Sequence, residues 1–406
     1  MQLTDTGKNQ RFGTVGLIIL ISLLEMLGVF VIDMYSPALP EMAETFNTSD
    51  SIVNLTMLLF FIFQVVGMLV FGPLSDRTGR RPLLLLVMLL FIVSSLAGVF
   101  APDIQTLIGV RIVQAIAAGA LVSICMALVK DSFVGRSRES VLMVLQALFI
   151  LGPIVAPIIG AQLLVWFSWR STFVVFAIFG ILTLPVILAF RESIAKEDRM
   201  SGSLLHSFVG LADVVRNGRF MVFMLATSLC IALPFNSYLT LAPYIYEGFF
   251  GFSPLEYSYF FAATAGLSAL GLVIYRAIAN KVALRHLTSA LIVCVGIAGL
   301  VTAVLAKNSA FIFCAAMLLL QIVGMMMRPY STNILFDLQK EDTGSASAMM
   351  NCSFAILGSA GIALTSLFND NYLLAIGTLM CAGFILSLAL WLGLLCSKTK
   401  MPGIKE

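Results

Sequence analysis

Three charged side chains lie inside long apolar segments, where charges are rare: Glu25, Asp33 and Arg111. A charge near the middle of a bilayer costs several kcal/mol, so it usually faces a cavity or a partner and marks a functional site. Carboxyl groups in such surroundings can take up and release protons, because burial favours the protonated form whereas a neighbouring cation favours the charged form. We therefore predict that Asp33 and Glu25 bind and release protons and that Arg111 adjusts their affinity for protons.

The spacing of these residues indicates which of them can act together. If the first apolar segment ends near Leu39 and the fourth begins near Gln105, Asp33 and Arg111 both lie six residues, roughly 9 Å, below the same surface. Glu25 lies about 12 Å deeper and about 80° around the helix. The alternative to proton binding is a static Asp33–Arg111 ion pair that fixes two helices.

Two other polar residues are candidates for contact with a small molecule in a cavity. Gln114 lies one turn from Arg111 on the same helix face, where its amide can form hydrogen bonds. Arg328 lies about two-thirds or more of the way along its apolar segment. It either reaches a cavity or anchors its helix at the lipid headgroups.

The composition requires a membrane protein. Of 406 residues, 60% are apolar and 11% are charged, less than half the roughly 25% of an ordinary soluble domain. Twelve spans of roughly 20 residues need about 240 apolar residues, and the chain has about 244. A soluble enzyme, a disordered chain, a fibrous repeat and a nucleic-acid binder are therefore excluded, and the lipid bilayer is the expected partner.

Metal, cofactor and hydrolase chemistry find no support in the sequence. The seven cysteines lie in or at the end of apolar segments, and the only histidines are His206 and His286, so neither a disulfide framework nor a metal site is expected. The sequence has no P-loop motif for an ATP-driven pump and no credible Ser/His/Asp set for a membrane hydrolase. We expect no cofactor and no enzymatic activity.

Twelve apolar segments are each long enough to cross the hydrocarbon core as a helix. The first six lie at about 15–39, 52–73, 82–100, 105–129, 140–165 and 171–190. The second six lie at about 220–246, 255–279, 287–306, 309–334, 345–368 and 372–396. We predict an all-α membrane protein with twelve transmembrane helices in two six-helix halves.

The predicted domains are an N-terminal half at 1–190, a polar cytoplasmic linker at 191–219 and a C-terminal half with a short cytoplasmic tail at 220–406. Nineteen basic residues lie in the loops and tails on the N-terminal side of the membrane, and only Arg170 and Lys307 lie on the other side. Because cytoplasmic loops carry an excess of Lys and Arg, both termini are expected in the cytoplasm. The first segment is expected to stay as a span rather than be removed as a signal peptide.

Two segments combine small residues with residues that shape the backbone. Residues 72–82 read GPLSDRTGRRP, where Gly72 permits close helix approach and Gly79 permits a tight turn. Asp76 can sit against the positive N-terminal end of another helix.

In the fifth span, small residues recur every fourth position and two prolines bend the helix. The residues of this fifth-span pattern are Gly152, Pro153, Ala156, Pro157 and Gly160. An ordinary kinked packing helix is the alternative interpretation of that span.

Residues 72–82 closely resemble the signature loop of the major facilitator superfamily. Residues 32–40 (IDMYSPALP) resemble the DMYLPALP segment of its Bcr/CflA-type drug-resistance transporters. Residues 111–115 (RIVQA) are similar to the family's motif in the fourth span, with Ala115 in place of the usual glycine, and residues 152–160 (GPIVAPIIG) resemble the motif of drug/proton antiporters. A weaker likeness to chloramphenicol and florfenicol exporters lies near Ser345.

The resemblance implies a proton-coupled antiporter of the inner membrane, expected as a monomer, in which Asp33 and Glu25 couple proton and substrate movement and Arg111 assists them. It also implies a latch on the cytoplasmic side that closes against the start of the eleventh span near Ser345. The residues of this cytoplasmic latch are Gly72, Asp76, Arg77, Gly79, Arg80 and Arg81.

The expected function is therefore export of small amphipathic drugs, with phenicols such as chloramphenicol among the candidates, conferring antibiotic resistance and driven by the proton gradient alone. One alternative is proton-coupled uptake or export of a natural metabolite, such as a nucleoside or a siderophore, because the fold does not distinguish these functions. A second alternative is a membrane receptor or scaffold that transports nothing.

Overall fold

The computed structural model describes residues 13–194, 199, 212–279, 281–339, 343–368 and 371–397, which form helices and no β-strand. Within these residues twelve helices are long and apolar enough to cross a membrane, so the predicted fold class and number of spans are confirmed. The cytoplasmic location of the termini stays a prediction.

The twelve helices are named α1 to α12 in chain order. The first six are α1 (Gly13–Thr45), α2 (Asp50–Thr78), α3 (Arg80–Val99), α4 (Ile104–Ser132), α5 (Gly135–Trp166) and α6 (Arg170–Ala189). The second six are α7 (Gly218–Phe249), α8 (Pro254–Ile278), α9 (Leu284–Val304), α10 (Ala310–Leu338), α11 (Gly344–Phe368) and α12 (Tyr372–Cys396).

The chain forms two compact units, Met1–Leu204 and Leu205–Glu406, each of which contains six of these helices. The division falls inside the segment predicted as the linker at 191–219. Residues 195–198 and 200–211 of that segment, and residues 398–406 of the predicted tail, lie outside the described part of the chain.

Helix α1 continues beyond its predicted end near Leu39. Its regular part ends at Asp33, a 3-10 turn follows at Ser36–Ala38, and a further α-helical stretch runs over Leu39–Thr45. Proline lacks the backbone N–H that an α-helix needs, so Pro37 accounts for the break. Asp33 therefore lies twelve residues before the end of α1, and its depth below the membrane surface stays a prediction.

Glycines bring α2 and α4 close together. A methyl group added at Gly119 would lie 1.9 Å from the carbonyl oxygen of Gln64, and one at Gly67 would lie 2.2 Å from that of Ile116. Lipid tails are as apolar as the helices, so helix association in a membrane depends on such close van der Waals packing. The α2–α4 pair is thus built around backbone contact.

We expect Gly119→Ala to force α2 and α4 apart and to destabilise the first unit by about 1–3 kcal/mol, the usual cost of overpacking. The measurement is the thermal unfolding midpoint of the detergent-purified protein. Gly109→Ala is the matched control, because it lies on the same helix and its added methyl group has no neighbour within 4 Å. Equal midpoints for the two variants would contradict the proposed contact.

Candidate functional site

Arg111 on α4 is completely buried and is the centre of a cluster that joins α1, α2 and α4. Its Nη1 atom donates to the carbonyl oxygen of Val31 at 3.2 Å and to Oε1 of Gln114 at 2.7 Å. Its Cζ atom lies 4.1 Å from the ring centroid of Tyr35 and 4.2 Å from that of Phe60. The guanidinium is therefore held by hydrogen bonds and by two aromatic faces, which attract a desolvated cation.

Asp33 lies two residues beyond Val31 but does not pair with Arg111. Its side chain is 6% exposed, and its carboxylate forms no hydrogen bond or ion pair with any residue that the structure describes. The alternative of a static Asp33–Arg111 ion pair is therefore wrong. The Nη atoms of Arg111 donate to neutral acceptors instead, and the Asp33 carboxyl group lies beside the break in α1 without a counter-ion among the described residues.

Gln114 supports Arg111 rather than facing a cavity. It is completely buried, its Oε1 accepts from Arg111, and its Nε2 donates to Oγ of Ser95 on α3 at 2.9 Å. Both ends of its amide thus form hydrogen bonds within the protein, and the predicted hydrogen bond to a substrate stays a prediction. Its helix spacing from Arg111 is as expected, but that spacing serves an internal contact.

Sequence reasoning missed the aromatic support of Arg111. The Tyr35 hydroxyl donates to Oγ1 of Thr56 on α2 at 2.9 Å, and the Tyr35 ring packs edge-on against Phe173 of α6. These contacts fix the ring that lies against the guanidinium. The available signal was the position of Tyr35 within residues 32–40, the segment that resembles the DMYLPALP segment of drug-resistance transporters.

Two predicted residues lie apart from this cluster. Glu25 is half-buried on α1, eight residues before Asp33. One turn before Glu25, the carbonyl oxygen of Ile21 accepts a hydrogen bond from the Cys125 thiol. Arg328 is exposed on α10 in the second unit. Their predicted roles stay predictions.

The small residues of α5 pack against α1 beside Asp33. A methyl group at Gly152 would lie 2.5 Å from the Val29 side chain, and one at Gly160 would lie 2.2 Å from the carbonyl oxygen of Met34. Ala156 between them is buried, and Pro153 and Pro157 lie inside the helix. The stripe therefore lets α5 approach the broken part of α1, whereas its link to antiport stays a prediction.

The predicted latch segment is a network inside the first unit. Gly79 has a φ of 103°, a left-handed conformation that favours glycine, and it makes the turn between α2 and α3. Arg80 is buried and contacts Ser75, Asp76 and, at 2.9 Å, Oδ2 of Asp131 at the end of α4. Asp76 thus pairs with the side chain of Arg80. Its predicted position against the N-terminal end of another helix stays a prediction.

The other predicted latch residues lie around this network. Arg77 is exposed, Arg81 donates from Nη2 to the carbonyl oxygen of Leu188, and a methyl group at Gly72 would lie 2.6 Å from Oγ of Ser123. Closure of the segment against Ser345 stays a prediction.

Glu192, which sequence reasoning missed, binds the first turn of α3. Its Oε1 accepts from the backbone N–H of Arg80 at 2.8 Å and its Oε2 accepts from that of Arg81 at 3.1 Å. A carboxylate at a helix N-terminus satisfies free N–H groups and the positive end of the helix dipole. Glu192 thereby ties the chain after α6 to the Gly79 turn.

Helix α7, the first of the second unit, repeats the side-chain pattern of α1. Asp33, Tyr35 and Pro40 correspond in spacing to Asn236, Tyr238 and Pro243. The Tyr238 hydroxyl lies 3.4 Å from Oγ1 of Thr264 on α8, as the Tyr35 hydroxyl lies near a threonine on α2. The repeat keeps the tyrosine contact but replaces the acid by a neutral amide.

Metal chemistry has no candidate ligands here: within the described residues no group of three or more His, Cys, Asp or Glu side chains could hold a metal ion. The arrangement offers hydrogen bonding, and proton binding by the carboxyl groups of α1 stays a prediction.

Comparison with known proteins gives one family. The model of the Major Facilitator Superfamily matches residues 19–362. An uncharacterized MFS-type transporter of Bacillus subtilis is 29% identical over 399 residues, 96% of each chain. The chloramphenicol resistance protein of Pseudomonas aeruginosa is 32% identical over 261 residues, which are 63% of this chain and 60% of that protein.

Among solved structures, the D-xylose–proton symporter superposes with a TM-score of 0.72 at 14% identity, covering 92% of this chain and 97% of the symporter. At this identity the likeness concerns the fold alone.

We expect Arg111→Lys to destabilise the first unit by about 2 kcal/mol, because lysine keeps the charge but lacks the planar fork that bonds two acceptors and stacks between rings. The measurement is the thermal midpoint in detergent. Arg136→Lys, at an exposed position on α5, is the control. A midpoint for Arg111→Lys equal to that of the control would contradict the aromatic and hydrogen-bonded support described above.

We expect Glu192→Gln to weaken the start of α3 by about 1 kcal/mol, since the amide keeps one acceptor but loses the second oxygen and the charge. Faster hydrogen–deuterium exchange at the Arg80 and Arg81 amides is the specific readout. Glu139→Gln, at an exposed position on α5, should leave these amides unchanged. Unchanged exchange in Glu192→Gln would show that the carboxylate is dispensable.

Proposed function

This chain belongs to the Major Facilitator Superfamily of membrane transporters, and we propose that it is a proton-coupled exporter of small amphipathic drugs. It is a multi-pass membrane protein and not an enzyme. The observation that carries the proposal is the buried Asp33 carboxyl group, which has no hydrogen-bond or ion-pair partner among the described residues.

Asp33 suits proton coupling because nothing in its described surroundings neutralises it permanently. A carboxyl group in an apolar environment changes its protonation when its access to water changes. The break that follows Asp33 in α1 places it next to a 3-10 turn, and the backbone between them is in close contact with α5 at Gly160. We infer that Asp33 is the main proton-binding group and that Arg111 positions α1 rather than neutralising the acid.

In the proposed cycle, the substrate binds from the cytoplasm while Asp33 is deprotonated. A change of access to the other side of the membrane then exposes Asp33 to external protons. Protonation replaces the charged hydrogen-bond acceptor by a neutral acid that binds the substrate less strongly, so the substrate leaves and the proton is carried inward. The proton gradient is the only energy source, and Glu25 takes part as a second proton-binding group.

The substrate class is supported by the relative from Pseudomonas aeruginosa, whose name is chloramphenicol resistance protein. Residues 32–40, which resemble a segment of drug-resistance transporters, include Asp33. We therefore propose phenicols such as chloramphenicol among the substrates. We further propose that the protein is a monomer in the inner membrane and that the Arg80 network forms its cytoplasmic latch.

We expect Asp33→Asn to abolish proton-driven chloramphenicol export, because the amide is neutral at every pH and cannot carry the proton. The measurement is chloramphenicol-dependent proton movement across proteoliposomes with an imposed pH gradient. Wild-type protein should show antiport, and the variant should lose at least about 90% of it, as a coupling group essential to the cycle demands.

Asp103→Asn is the matched control, because Asp103 is an exposed acid that caps α4 and asparagine caps helices as well. It should retain wild-type flux. Full coupled transport by Asp33→Asn would overturn the assignment of Asp33, whereas movement of drug in the same direction as protons would favour uptake over export.

A further inference from the structure

The two basic residues predicted on the external side of the membrane have different environments. Arg170 is used internally: it donates to the carbonyl oxygens of Val99 and Ala101, both at 3.2 Å, and lies over the Trp169 ring. Lys307 is exposed in the 3-10 turn Ala306–Asn308 and forms no hydrogen bond or ion pair with a described residue. The structure thus gives Arg170 a role within the protein, whereas it gives Lys307 no hydrogen-bond or ion-pair partner among the described residues.

An apolar groove of about 390 Å³ lies between α9 and α10, next to this turn. Its lining includes the small side chains of Ala298, Ala315 and Ala316. Its edges include Ile297 and Phe311, which are 54% and 73% exposed. An open groove of this composition on a membrane-spanning helix pair suits a hydrocarbon chain.

The groove and Lys307 are aligned for one amphipathic molecule. Phe311 lies four residues after Lys307, and the groove extends along α10 to Leu319, eight residues or roughly 12 Å further. The positive charge thus stands at one end of an apolar channel that runs along the helices. A phospholipid has the complementary form, with a negative phosphate at one end and an acyl chain that lies parallel to the spans.

We propose that α9 and α10 bind one anionic phospholipid, with an acyl chain in the groove and the phosphate on Lys307. Charge complementarity favours an anionic lipid, because a single ammonium group balances its net negative charge, whereas a zwitterionic headgroup also brings a cation. An extended peptide is disfavoured, since the groove offers no polar group for its backbone and each unpaired backbone group costs several kcal/mol in lipid. This site is independent of the proposed transport function.

The test is native mass spectrometry of the full-length protein with equal amounts of phosphatidylglycerol and phosphatidylethanolamine that carry the same acyl chains. The wild-type protein should retain phosphatidylglycerol preferentially. Lys307→Glu should lower this preference about fivefold or more, the effect of one basic residue near an anionic headgroup. Ala315→Phe should fill the groove and lower retention of both lipids, and its exposed position leaves the core intact.

Lys281→Glu is the matched control, because Lys281 is an exposed lysine before the other end of α9 and undergoes the same charge change. Its lipid preference should equal that of the wild type. The proposal is overturned if Lys307→Glu keeps the wild-type preference, if Lys281→Glu loses it equally, or if Ala315→Phe retains both lipids. None of these readouts depends on transport.

Discussion

The first unit depends on how the buried guanidinium of Arg111 is satisfied. A charge removed from water must be compensated by hydrogen bonds or by other charges, or the fold is destabilised. Here the compensation comes from the Val31 carbonyl, the Gln114 amide and the faces of Tyr35 and Phe60. This arrangement connects α1, α2 and α4 through neutral groups, and it leaves the carboxyl group of Asp33 without an ion-pair partner among the described residues.

The same constraint explains why small residues surround this cluster. The contacts of Arg111 require α1, α2 and α4 to lie close together, and the association of helices in lipid depends on close packing. Gly67 and Gly119 bring α2 and α4 into backbone contact, and Gly160 brings α5 against the break in α1. Motifs that look separate in the chain thus support a single arrangement around the first helix.

The sequence predicted the twelve spans and the buried charged residues, because apolar length and misplaced charge are visible within a short stretch of chain. Its errors concern partners and geometry. Gln114 was assigned to a cavity but bonds to Arg111 and Ser95, since helix spacing identifies a shared face and not what covers it. The end of the first helix was placed too early, because the helix resumes after Pro37 and continues to Thr45.

The sequence by itself determined the class of protein, the number of membrane helices, and the presence of two acids and one arginine within them. Only the tertiary structure decided that Arg111 has no acidic partner among the described residues, and that Glu192 binds the first turn of α3. The reason is physical: the acceptors of Arg111 include a backbone carbonyl 80 residues away and two ring faces. Every residue has a carbonyl group and many helices carry aromatic rings, so folding alone selects which of them meet the charge.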